Sequence, residues 1–108
     1  MQVERLKILL EYLADEPNEP FNIYAVAMEY LNKDNEEALF YLEKLLKEYS
    51  DYIPTYYHAA ALFFEKGDWV NAENTYKIGI EKAHQQPQTK AFDELKRAYR
   101  MFLDEIED

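Results

Sequence analysis

His58, His84, Ser50, three threonines and no cysteine are the stock from which nucleophile and base chemistry could be assembled in these 108 residues. Without a thiol there is no cysteine nucleophile, no disulfide and no cysteine-ligated metal, and one serine with two distant histidines does not make a triad. His58 and Glu65, seven residues apart, fall on one face of a helix and could form an acid-base pair or two metal ligands. The same spacing is commonplace on solvated helices, so His58 reads as a surface or groove residue. Neither Gly67 nor Gly79 belongs to a glycine-rich phosphate loop. The acidic run Asp15-Glu16-Asn18-Glu19 lacks the glycine and the spacing of a calcium loop, and reads as a solvated turn. The residues thus predict no catalytic group, no metal and no cofactor.

The elements that carry these residues follow from the composition. The chain is one domain long, 48% hydrophobic and 16% aromatic, with ten Tyr, six Phe and one Trp, enough apolar surface for a core despite 31% charge. Two Gly and four Pro are too few turn formers for a many-stranded sandwich or barrel. Twenty-two acidic against twelve basic residues give a net charge of −10, and the basic residues lie singly or, as with Lys96, Arg97 and Arg100, among acids. Such a surface repels phosphate backbones and anionic membranes and favours basic or apolar partners. No apolar run approaches the length of a membrane span or a signal-peptide core, which predicts a soluble, cytoplasmic protein.

Between the prolines and glycines the apolar residues recur every three or four positions, predicting six helices. The first covers about Gln2 to Ala14, with Val3, Leu6, Leu10 and Leu13 on one stripe and Leu9 beside it. Pro20 opens the second, which runs to about Asn32. Asp34 caps the third, with Glu37 reaching back to it in a capping box, and that helix continues to about Tyr49. Pro54 opens the fourth, Gly67 ends it in the left-handed conformation, and Asp68 caps the fifth, which fades near His84. The sixth carries Ala91, Phe92, Leu95, Ala98, Tyr99, Phe102 and Ile106 on a broad apolar face.

The chain also repeats itself. Asp34 and Asp68, Ala38 and Ala72, Leu42 and Tyr76 are each 34 apart. A shift of 33 carries Tyr24 to Tyr57, Ala27 to Ala60, Tyr30 to Phe63, Leu31 to Phe64 and Lys33 to Lys66, and also Leu6, Leu9 and Leu13 to Leu39, Leu42 and Leu46. The turn of the earlier copy is one residue short, at the place of Gly67. A period of this size means stacked two-helix units, and small Ala27, Ala38, Ala60, Ala72 and Gly79 are the points of close helix approach, with Tyr30, Leu42, Phe63 and Tyr76 filling the space between.

Two helices in about 34 residues, with Tyr56, Ala59, Ala60 and Phe63, then Gly67-Asp68-Trp69, then Ala72, Tyr76 and Gly79, resemble the tetratricopeptide repeat. The earlier copy matches through Ile23, Val26, Ala27, Tyr30, Ala38, Leu42 and Leu45, with Ser50 where the pattern prefers proline. The resemblance implies an all-α fold of antiparallel helix-turn-helix repeats stacked as a short right-handed α-solenoid. The predicted layout is a single domain, 1–108, made of an N-terminal half-repeat helix (2–17), repeats at 20–52 and 53–86, and a capping helix (88–106) in which Lys96 replaces the small residue that would admit another helix.

A second stripe recurs beyond the packing face. Tyr24, Met28 and Leu31 in one copy, and Tyr57, Ala61 and Phe64 in the other, follow i, i+4, i+7. In the family that side lines a concave groove, which implies a peptide-binding site of these six residues with Asn32, His58 and Glu65 supplying polar contacts. The alternative is that the stripe is core, buried between successive helices. One subset of the family clamps the terminal carboxylate of chaperone tails with Lys, Arg and Asn. Of those, only Asn32 stands on this stripe, so an apolar or basic ligand is expected. The function this reading predicts is a non-catalytic scaffold that binds a segment or helix of another protein. The alternative is a homo-oligomer formed through the unpaired first helix or the groove.

Overall fold

In the computed structural model, which describes residues 2–107, local cap chemistry sets the ends of six helices: α1 (Gln2–Asp15), α2 (Pro20–Tyr30), α3 (Asn35–Glu48), α4 (Pro54–Lys66), α5 (Trp69–Gln85) and α6 (Thr89–Glu107). No strand occurs among the described residues. Pro20 and Pro54 occupy the first turns of α2 and α4, where a missing N–H leaves no bond unmade. Asp34 accepts the Glu37 amide at 3.2 Å, and Asp68 accepts the Asn71 amide at the same distance. The capping box is only half made. The Asp34 amide donates to the Tyr30 carbonyl at 2.8 Å, closing the preceding turn instead of meeting Glu37.

Gly67, at φ 89°, ends α4. Its N–H donates to the Phe64 carbonyl at 3.0 Å and that of Asp68 to the Phe63 carbonyl at 2.9 Å, the double bond pattern of a Schellman turn. The equivalent turn after α2 differs from expectation. That helix stops at Tyr30, short of Asn32, and Leu31 (ψ 130°) already leaves the helical path. Asn32 then adopts φ 69°, and its amide donates to Asn35 Oδ1 at 2.7 Å. The earlier copy therefore also has a left-handed residue, supplied by asparagine, one of the few side chains that tolerates it.

The chain divides into two units, Met1–Tyr52 and Ile53–Asp108, parting between the two repeats. In the first, α2 packs between α1 and α3. Ile23, Val26, Ala27, Ala38, Leu39, Leu42 and Leu45 are buried, and Tyr30 stacks on Tyr41 with ring centres 6.0 Å apart. The α1 contribution is shallower than expected. Leu6, Leu9, Leu10 and Leu13 are half-buried and Val3 is exposed. An ion pair ties α1 down: Arg5 Nε donates to Glu29 Oε1 at 3.0 Å, and Lys33 Nζ holds the other oxygen at 3.3 Å. Glu29 is buried on α2, and these two cations compensate the loss of its hydration.

In the second unit α5 packs against both α4 and α6. Tyr56, Ala59, Ala60, Leu62, Phe63, Ala72, Tyr76, Ala83, Leu95 and Phe102 are buried. The Phe102 ring lies 5.7 Å from Tyr76 and 6.2 Å from Tyr99. The Tyr99 hydroxyl donates to Glu73 at 2.6 Å, linking α6 to α5, and this bond raises its pKa to about 12. Lys96 is exposed, its ammonium 4.9 Å over the Phe92 ring.

The tightest constraint is Gly79, where an added Cβ would stand 2.6 Å from Cβ and 2.8 Å from Cγ of Tyr56. Alanine is the better helix former by about 1 kcal/mol, so on propensity alone Gly79→Ala would stabilise α5. Here α4 and α5 would have to separate. The expected result is a net loss of about 1–3 kcal/mol, read from the denaturant midpoint.

Candidate functional site

The packing face and the second stripe of α4 separate clearly. Tyr56, Ala59, Ala60 and Phe63 are buried, whereas Tyr57, on the stripe, is 48% exposed, with Ala61 and Phe64 half-buried and Glu65 exposed. In the first unit the division recurs. Ile23, Val26 and Ala27 are buried and Tyr24 and Met28 half-buried. Leu31 is half-buried too, but it and Asn32 sit in the turn beyond α2, so the helical stripe of that copy is Tyr24 and Met28 alone.

Ring contacts show how much of each stripe is already engaged. Tyr24 meets Tyr52 edge-on at 5.7 Å, and burial raises its pKa above the ordinary value. Phe64 meets Phe102 of α6 edge-on at 5.4 Å and lies 6.3 Å from Trp69. Its ring thus joins the α4–α6 packing, and for this residue the core alternative has direct support. Tyr57 contacts the ring of its neighbour His58 at 5.3 Å and leaves half its surface to solvent.

Trp69 was absent from the sequence-based site. It is the first residue of α5, half-exposed, and extends the aromatic surface beyond Phe64. Its signal was the turn itself: Gly67 and Asp68 reverse the chain between two aromatics five residues apart.

His58 is half-buried, and desolvation lowers its pKa below the usual 6.5. Burial disfavours the imidazolium, which suits a neutral ring and not a stored cation. Among the described residues no three or more His, Asp or Glu side chains converge to hold a metal ion. A shallow concavity of about 470 Å³ at the start of α6, lined by Gln88, Thr89, Lys90, Ala91 and Glu94, includes none of the stripe residues.

Comparison with solved structures gives the family. A tetratricopeptide repeat domain protein from Salinibacter ruber, determined in solution, is 36% identical, with 81% of this chain and 89% of that one covered and a TM-score of 0.74. A crystal structure of a tetratricopeptide repeat domain protein from the same organism is 35% identical over 81% of this chain and 98% of that one, with a TM-score of 0.76. The chain belongs to the tetratricopeptide repeat family. Its fold class is accordingly all-α, built of helix-turn-helix repeats, and the buried small-and-large pattern described above is the repeat's packing signature. No protein-family model matches the chain, and a search of curated proteins gave no match.

Two predictions follow from this tetratricopeptide repeat surface. Phe64→Ala should cost about 2–4 kcal/mol, because its ring is wedged against Phe102 and Trp69, while exposed Tyr57→Ala should cost under about 1 kcal/mol. Equal costs from chemical denaturation would show that the stripe is not divided in this way. His58 binds its proton more weakly folded than unfolded, so its contribution is complete above the unfolded value and shrinks as pH falls below it. Stability should therefore decline between pH 7 and the onset of carboxylate titration, and His58→Gln should flatten that slope.

Proposed function

We propose that this tetratricopeptide repeat chain is a non-catalytic interaction module that holds a segment or helix of another protein against the stripe of α4 and, separately, that of α2. The observation that carries this is Tyr57. It is an aromatic side chain half open to solvent in the first turn of a helix whose other large apolar residues are buried or half-buried. Aromatic and methionine side chains give large contact area for few frozen rotors, and Met28 adapts to irregular apolar surfaces. Asn32, His58 and Glu65 border these positions with polar groups, and Ala61 leaves room beside Tyr57 for a partner side chain.

The charge balance selects among partners. At a net charge of −10, the chain attracts basic segments and repels acidic tails, nucleic acids and anionic membranes. Among the described residues no helix is long and apolar enough to cross a membrane. The proposed ligand is therefore an apolar or basic protein segment, bound without a cofactor.

The test is affinity capture from source lysate with the native chain beside a Tyr57→Ala, Met28→Ala variant whose circular dichroism and denaturant midpoint show it folded. The captured protein is then titrated in purified form against both. At least a tenfold weaker affinity in the variant is expected, since each lost anchor is worth roughly 1 kcal/mol or more. Equal affinity for both would place recognition on another surface.

A further inference from the structure

Three parts of the first unit meet at the start of α2. Asn22 Nδ2 donates to the carbonyls of Tyr12 (3.4 Å) and Glu16 (3.3 Å), which holds the end of α1 there. Tyr52, from the segment after α3, meets Tyr24 edge-on at 5.7 Å and brings that segment to the same place. Phe21 is 58% exposed and, three residues before Tyr24, is its neighbour on the helix surface, so it adds an open ring face to the tyrosine pair. Glu19, the N-cap of α2, accepts the Phe21 amide through Oε1 at 3.3 Å, which fixes its carboxylate beside these residues. Its charge is felt there: the Tyr52 hydroxyl is raised above its ordinary pKa by burial first, and then by Tyr24 and Glu19.

What this place lacks is a cation. Residues 11–24 and 49–52 contain five carboxylates, five aromatic rings and no lysine, arginine or histidine, although twelve of the 108 residues are Lys or Arg. Aromatic faces and carboxylates both attract positive charge. On α6 the Phe92 face is answered from within the chain, by the Lys96 ammonium 4.9 Å from its centre, and on α2 the buried Glu29 is answered by Arg5 and Lys33. The local sequence at the start of α2 supplies no such group. A guanidinium or ammonium from outside fits both features, lying over Phe21 within reach of Glu19, and a chain of net charge −10 draws it in. We propose that the first turn of α2, with Glu19, Phe21, Tyr24 and Tyr52, is a docking surface for the arginine or lysine side chains of a basic segment of another protein.

Tyr24 is shared with the stripe of α2, but Glu19, Phe21 and Tyr52 take no part in the proposed function, so failure here would leave that reading intact. The probe is a peptide of alternating arginine and glycine, titrated into the whole 108-residue chain while the backbone amide shifts are followed by NMR. The shifts should concentrate in residues 11–24 and 49–52. Phe21→Leu keeps an apolar side chain and removes the ring face, and should weaken binding about two- to fivefold. Glu19→Gln keeps an oxygen for the Phe21 amide and removes the charge, and should weaken it comparably. Both positions are exposed, and an unchanged denaturant midpoint checks that each variant is folded. Tyr57→Ala, on the stripe of α4, should bind the peptide as the native chain does. Shifts spread over the carboxylates of both units would overturn the proposal. Equal binding by Phe21→Leu and the native chain would do the same, by showing that charge alone attracts the peptide.

Discussion

The second unit rests on a missing atom. Gly79 has no Cβ, and Tyr56 occupies the place where one would be, at 2.6 Å. Helix separation in a packed pair is set by the residues at the crossing point, so this contact fixes how near α5 comes to α4. By the repeat's own alignment the corresponding pair in the first unit is Ile23 and Leu45, both fully buried. One copy combines the smallest residue with a large aromatic and the other two residues of middle size. The two crossings are thus filled by different combinations of side chains, each fully packed in its own unit. The tyrosine lies on the packing face of α4, and its neighbour Tyr57 is consequently turned onto the stripe.

Outside these crossings the two units are stabilised by different forces. The second gathers its aromatics, Phe64, Tyr76, Tyr99 and Phe102, into a continuous set of ring contacts and adds the Tyr99–Glu73 bond. The first depends at α1 on half-buried leucines and on a carboxylate, Glu29, shared by two cations. Such a triad contributes little net energy after desolvation but imposes a strict requirement, since removing one cation leaves the other alone to compensate a buried charge. It specifies the rotation of α1 about its own axis, and that rotation sends Ile8 and Tyr12 outward.

Helix order, caps and the packing face could be read from the sequence because each depends on residues within one or two turns. Asp34 and Asp68 cap the helices expected of them, Pro20 and Pro54 start theirs, and Gly67 takes the left-handed cap. What escaped depends on longer range or on competition. Leu31 satisfies the stripe's spacing, yet the turn that Asn32 and Asn35 form ends α2 first. Phe64 likewise has the spacing of an open residue, and only the position of Phe102, 38 residues on, shows that its ring is partly engaged. Arg5 and Glu29 are 24 residues apart, and nothing in their surroundings along the chain pairs them. A periodicity of 3.6 places a side chain on a face but does not say which other helix covers it.

That limit bears on how the stripe would work. On the proposed reading its members differ in what they can offer a ligand. Phe64 is constrained by Phe102 and Trp69, so it is a firm wall with little surface to give. Tyr57 has surface to give, and its ring is backed by His58, which burial keeps from charging easily. Met28 and Tyr24 present a softer surface in the other unit. A ligand anchored mainly by Tyr57, with the wall beside it already built, loses little conformational entropy on the protein's side, and affinity then depends on how well one apolar or basic side chain fits the space left by Ala61. Selectivity at such a site comes from shape at one position and from the acidic surroundings, not from a network of hydrogen bonds, and it suits a module that exchanges partners more than one that keeps a single ligand for good.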